Sequence, residues 1–210
     1  MKNRISNFLI ICAVILCISA CNQRKASSEA VEIPDNSWLE EITIRELQQG
    51  YREGKYTVTE VVSAYLDRII TIDKKGPALN SIIIINPDAL QIAEELDREF
   101  AEGKPIGPLF GVPVVLKDNI DTHDSMPNTA GATAMRNSFP DVDSPVAKKL
   151  REAGAVIIAK SNLSEWANFR GTSSTSGWSG IGGQTKNPYV LDRNPCGSSS
   201  GSGVAVAANL

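Results

Sequence analysis

Apolar residues recur at Val58, Val61, Val62, Tyr65, Ile69 and Ile72, the three-to-four spacing of one helical face. Thr57 and Glu60 stand ahead of that run at capping-box spacing, and Thr43 with Glu46 gives the same signal upstream. The period then changes. Residues 81–85 form an unbroken, largely β-branched run and predict a buried strand. Asn86-Pro87 predicts a helix with proline at its first position, carrying Leu90, Ala93, Leu96 and Phe100 to a stop at Gly103. Residues 111–117 predict a second buried strand ending in Lys117. Ser144-Pro145 predicts a helix that closes at Gly154, and residues 155–159 a third strand ending in Lys160. A short helix is expected over 163–169, then an irregular Gly/Ser/Thr-rich stretch over 171–183. Trp178, Ile181 and Tyr189 interrupt that region, so it is not plain linker. Strands alternating with helices predict an α/β domain around a largely parallel sheet. No internal repeat is visible.

The first 40 residues depart from this pattern. Lys2 and Arg4 precede an apolar run from Phe8 to Ile18, and Ser19-Ala20 supplies small residues before a cleavage point. The run is shorter than the roughly 20 residues that a bilayer span needs. Ile18-Ser19-Ala20-Cys21 resembles a bacterial lipobox, which implies residues 1–20 as a signal segment and Cys21 as the lipidated new N-terminus. An ordinary signal peptide or an uncleaved anchor is the alternative. Residues 21–40 are mostly polar and read as a flexible tether. The localisation expected is a bacterial cell envelope, with the chain held to the membrane through its N-terminal lipid.

Charge adds an exclusion. With 21 basic and 24 acidic residues and no basic block, nucleic acid is not an expected partner. Cys12 and Cys17 would leave with the signal and Cys21 would carry lipid, so Cys196 alone remains and no disulfide framework is expected. Cys196, between Pro195 and Gly197, reads as a small residue packed in a turn. No His/Cys/carboxylate group has ligand spacing, which argues against metal-assisted hydrolysis.

The densest chemistry lies at 194–209, where Ser198, Ser199, Ser200 and Ser202 alternate with glycines and lead into Val204, Ala205, Val206, Ala207 and Ala208. An uncharged helix of that kind is expected to be buried, and its serine-rich entry is a cap, an anion cradle or a nucleophile site. Nucleotide binding fits poorly. No lysine precedes a Ser/Thr as a Walker loop needs, and Val206 stands where a dinucleotide fingerprint wants glycine.

Lys117 follows five apolar residues at a strand end, where α/β folds place their ligand crevices. Burial would lower its pKa and make it a base; the bland reading is a snorkelling or salt-bridged lysine. Asp118 is expected to point to the other face. For Lys160 the bland reading is preferred. The single histidine, His123, lies in a polar loop with nothing pairing it to the serines, so serine activation by lysine is the favoured chemistry.

Gly111-Val-Pro-Val-Val-Leu-Lys117-Asp-Asn-Ile120 together with Pro195-Cys-Gly-Ser198-Ser199-Ser200-Gly-Ser202 resembles the amidase signature family. Ser161-Asn-Leu-Ser-Glu-Trp-Ala-Asn-Phe169, Gly183-Gln-Thr-Lys-Asn-Pro188 and Cys196 look most like its bacterial peptide amidase branch. The likeness runs from about residue 44 to 210. It implies an α/β fold with a mixed, largely parallel central sheet covered by helices, residues 41–210 being the N-terminal part of that domain. It implies a Ser–cis-Ser–Lys triad with Lys117 as base, Ser198 as the relay serine after a cis peptide bond, and Ser199 hydrogen-bonded to the lysine. Asn168, Phe169, Arg170 and Gly171 resemble the segment that lines the substrate pocket. No cofactor or metal is implied. The substrate class is a small amide or a peptide C-terminal amide; charged tRNA, used by amidotransferase relatives, is not met by an exported chain.

One part of the pattern is missing. The family's acylating serine and oxyanion turn lie downstream of the relay serine, beyond Leu210, so the expectation is a truncated amidase. The competing expectation is an inactive remnant or a module that binds amidated peptides without turnover.

Overall fold

The computed structural model describes residues 35–169 and 171–210. The expected signal segment, Cys21, the tether to residue 34, and Arg170 lie outside the described residues. The packed unit begins before residue 41. Leu39, in a 3-10 turn at Ser37–Leu39, is fully buried in the main core, and Trp38 stacks on Tyr56 at 4.9 Å.

Helices α1 (Ile44–Arg52) and α2 (Val58–Arg68) both open with complete capping boxes, at Thr43–Glu46 and Thr57–Glu60. A hydroxyl that accepts from the third helical N–H, and a glutamate that reaches back, satisfy two orphan donors at each start. The start of α2 is held further by Asp97, whose carboxylate accepts from Val58 N at 2.7 Å, Thr59 N at 2.9 Å and Thr59 Oγ1 at 2.6 Å. Asp97 belongs to α3 (Ala89–Ala101). The α2 rod continues as a π-helical segment, Ile69–Lys75. There the buried Asp73 accepts from Ser81 N and Ser81 Oγ, both at 2.6 Å, and fixes the entry to the first strand.

Three strands form the main sheet: β1 (Ile82–Ile85), β2 (Pro113–Lys117) and β3 (Val156–Ser161), in the order β1–β3–β2. β3 is buried at every residue. It pairs in parallel with β2 but antiparallel with β1, so the described sheet is mixed. The tetra-isoleucine strand β1 lies at the sheet edge, and only Ile82 is fully buried, against the expectation of burial throughout.

Helix α3 starts later than Pro87. The Asn86 side chain donates to Ile157 O at 2.7 Å and accepts from Asp88 N at 3.0 Å, which holds 86–88 as a turn. Helix α4 (Pro145–Glu152) is capped by Ser144, as its sequence predicts.

Helices cover both faces. Residues of α1, α2, α3 and α5 (Ser200–Ala207) pack on one side with Ile158 and Ala159, while Leu116, Met126, Ala147 and Ile157 form a smaller cluster on the other. The β2–β3 register sets this division. Val114 pairs with Ile157 but Val115 with Ala159, so Ile158 is an extra residue in β3. Such a bulge resets which face each later side chain occupies. Beyond it Leu116 is opposite Lys160, and Lys117 is opposite Ser161. Lysines 117 and 160 therefore leave the sheet on opposite faces.

The small-residue helix α5 buries only one side. Val204 and Ala205 are in the core, whereas Val206 is 81% exposed. The uncharged helix is thus buried against the core along one side, as expected, and leaves Val206 uncovered on the other. A short hairpin, β4 (Trp178–Ser179) with β5 (Gly183–Gln184), lies within the irregular stretch.

Candidate active site

Lys117 ends β2 half-buried, and its Nζ donates to Ser198 Oγ at 2.8 Å. Burial of the ammonium lowers its pKa below the ordinary lysine range. The Gly197–Ser198 peptide bond is cis.

The loop carrying Ser198 is held mainly by backbone bonds to the segment just after β3. Ser164 N donates to Ser198 O at 3.0 Å, and Gly201 N donates to Asn162 O at 2.9 Å. Ser200 Oγ donates back to Cys196 O at 2.5 Å, and Ser161 and Ser202 share a hydroxyl hydrogen bond of 2.8 Å. Two glycines are required by close approach. A Cβ on Gly197 would lie 2.5 Å from Ser164 Oγ, and one on Gly201 would lie 2.1 Å from Ser81 O.

Ser199, expected to bond to the lysine, does not. It is exposed at the N-terminus of α5, and its side chain neither caps that helix nor reaches Lys117. Among the described residues, Ser198 is the serine that hydrogen-bonds to the lysine. Cys196 is exposed rather than packed, with φ at 61°. His123 is also exposed; its Nδ1 lies 3.1 Å from Pro140 O and its ring makes no hydrogen bond to the serine loop.

The expected short helix over 163–169 is replaced by a 3-10 segment, Glu165–Asn168, in which Trp166, Ala167 and Asn168 have φ of 47°, 54° and 65°. Its groups are tied outward. Trp166 N donates to Ala130 O at 3.1 Å, and Glu165 Oε2 accepts from Gly180 N at 2.7 Å. With those bonds made to distant loops, a right-handed turn is not formed. Asn168 Nδ2 reaches Ser176 Oγ at 3.4 Å, and Ser176 in turn packs at Gly197, so Asn168 is brought near the Ser198 loop. Phe169 is 92% exposed and Gly171 is exposed; Arg170 lies outside the described residues.

A cavity of about 440 Å³ opens beside Ser198 and Ser199, with Tyr189, Pro195, Cys196 and Val204 in its wall. Two organising residues carried no assignment in the sequence. Asn162, fully buried, donates to Asn80 O and Gly183 O, each at 3.2 Å, and accepts from Ser179 Oγ at 2.7 Å. Ser164 bonds to the Ser198 carbonyl and accepts from Gly177 N at 2.9 Å. Their signal was their place, one to three residues beyond a buried strand end, within a motif already singled out.

The arrangement is a lysine of depressed pKa bonded to a serine at the end of a parallel strand, which suits proton transfer at a hydroxyl. A family model described as Amidase matches residues 60–210, and the chain belongs to that family. The peptide amidase of Stenotrophomonas maltophilia is 50% identical with a TM-score of 0.78, over 81% of this chain and 34% of that one. A protein of Schizosaccharomyces pombe named as an amidase is 46% identical over 175 residues, 83% of this chain and 30% of the relative. A glutamyl-tRNA(Gln) amidotransferase subunit of Alkaliphilus metalliredigens is 38% identical over 82% of this chain and 33% of its own length. The chain thus spans about a third of the length of these relatives.

Proposed function

We propose that the protein carrying this chain hydrolyses carboxamides, with peptide C-terminal amides as the substrate class, by Ser–cis-Ser–Lys chemistry. The 2.8 Å hydrogen bond from Lys117 to Ser198 is the observation that carries this reading. In it, neutral Lys117 takes the proton of Ser198 Oγ while Ser198 takes that of an acylating serine, which the family resemblance implies beyond the relay serine. The serine oxygen attacks the carboxamide carbon. The proton returns along the same path to the leaving nitrogen, which departs as ammonia or an amine. Water then hydrolyses the acyl-enzyme, with Lys117 and Ser198 again moving the proton.

Higher identity to proteins named as amidases than to the amidotransferase relative supports amide hydrolysis over transfer to tRNA. Lysine-rich or arginine-rich blocks for nucleic acid are lacking in the sequence. The charged, apolar and small-residue succession over residues 2–21 supports export, with lipid attached at Cys21 in a bacterial envelope. Ammonia release from an amidated dipeptide by the native protein tests the hydrolase reading. No release, or release that Ser198→Ala leaves unchanged, rejects it.

A further inference from the structure

Lys160 has the largest side chain among those fully buried in the described residues, and its surface exposure is 0%. A snorkelling lysine keeps its ammonium in water, so that reading does not hold. The bulge at Ile158 places Lys160 beside Leu116, on the face opposite to Lys117. There its Nζ donates to Ile120 O at 2.7 Å. Ile120 N in turn donates to Lys117 O at 3.0 Å, closing the turn that leaves the catalytic strand.

Asp118, inside that turn, is fully buried on the same side as Lys160. Its carboxylate accepts from Thr129 Oγ1 and from Gly131 N at 3.3 Å, and its backbone bonds to Ser161 O and Ala130 N. The charges facing Lys160 are Asp118, Asp121 and Asp124 from this loop and Arg151 from α4. Arg151 is itself engaged by Asp124 at 2.6 Å and Asp143 at 3.1 Å. A buried lysine nitrogen held at such a site, among carboxylates and on a carbonyl, fixes the geometry of what it bonds to.

We infer that Lys160 is a positioning residue for Lys117, clamping the Lys117–Ile120 turn from behind the sheet so that Lys117 Nζ stays on Ser198 Oγ. The inference rests on the reading of Lys117 as base for its effect on turnover, but not for its effect on Lys117 itself. It is distinct from a stabilising role because it requires a change at Lys117 in molecules that remain folded.

The test uses the complete native protein and its Lys160→Met variant. Competitive acetylation across pH, read at Lys117 by peptide mass spectrometry, gives the midpoint at which that amine becomes reactive. With the turn loosened, Lys117 gains water, and the midpoint is expected to move up toward the ordinary lysine value. On an amidated dipeptide, kcat is expected to fall about 100-fold while KM changes little, as for a misplaced catalytic group. A wild-type midpoint and wild-type kcat in folded Lys160→Met overturn the inference. So does a loss of activity that only tracks the unfolded fraction. Where Lys160→Met does not fold, Lys160→Met/Asp118→Asn removes both buried charges and carries the same test: an upward midpoint supports the clamp, an unmoved one overturns it. Failure of the wild-type protein to release ammonia removes the hydrolase reading alone, because the acetylation midpoint still decides the role of Lys160.

Discussion

Gly201 N donates to Asn162 O at 2.9 Å, and a Cβ on Gly201 would lie 2.5 Å from that same oxygen. The start of α5 therefore sits against the strand-end backbone with no room for a side chain. Since Ser198 precedes this contact by three residues, the contact sets where the serine loop meets Lys117. Gly201→Ala is predicted to destabilise the fold by about 1–3 kcal/mol, the usual cost of forced overpacking. Urea unfolding measures it, and an unchanged midpoint would mean the backbone gives way freely there.

Ser198 and Ser199 are adjacent but not equivalent. Ser198 hydrogen-bonds to Lys117, while the Ser199 side chain is exposed. Ser198→Ala is predicted to lower kcat/KM for an amidated dipeptide by roughly 10²–10⁴-fold, the range for a lost proton-transfer group. Ser199→Ala is predicted to do much less. Equal losses in the two variants would restore the role for Ser199 that the family resemblance implies.

The depressed pKa of Lys117 gives a signed pH dependence. Its cause is burial, so the uncharged form accumulates at lower pH than for a free lysine at 10.5. As the base must be uncharged, kcat/KM is predicted to rise with pH to a plateau, with a midpoint below 10.5. Stability follows the same sign. Between the lowered pKa and 10.5 the unfolded chain binds more protons at this group, so its contribution to stability increases with pH. Lys117→Met should remove that part of the slope; a profile that falls with pH over this limb contradicts the assignment.

Asp97 joins α3 to the first turn of α2 through three hydrogen bonds to one carboxylate. Hydrogen bonds to a charged group are individually worth about 1.5–3 kcal/mol, and the bonded amides lie at a helix N-terminus. Asp97→Ala is predicted to destabilise by at least that amount in thermal or urea unfolding. A loss under about 0.5 kcal/mol would place the anchoring of α2 elsewhere, in the range of ordinary surface changes.

What was legible in the sequence is what local chemistry decides. Thr43, Thr57 and Ser144 cap helices because hydroxyl and spacing suffice, and the apolar runs before Lys117 and Lys160 are strands because their length and branching favour it. Features set by distant partners were not legible. The left-handed segment at Trp166–Asn168 is tied through Trp166 N to Ala130 O, a partner far back in the chain. The face taken by Lys160 depends on a single bulged residue, Ile158, and its Ile120 partner is 40 positions away. Val206 faces outward although nothing in its apolar neighbours distinguishes it. Serine activation by lysine was readable from the residues, but the choice of Ser198 as the partner of Lys117 came through the family pattern, since 81 residues separate them.

In the proposed hydrolysis the Lys117–Ser198 pair is the proton-transfer element. Its most direct test is the initial rate of ammonia release from an amidated dipeptide by the native protein and its Lys117→Met variant, both shown folded by thermal melting. The prediction is turnover by the native protein and a loss of roughly 10²–10⁴-fold in Lys117→Met. Turnover retained by the variant to within about twofold would contradict the role of this lysine as base.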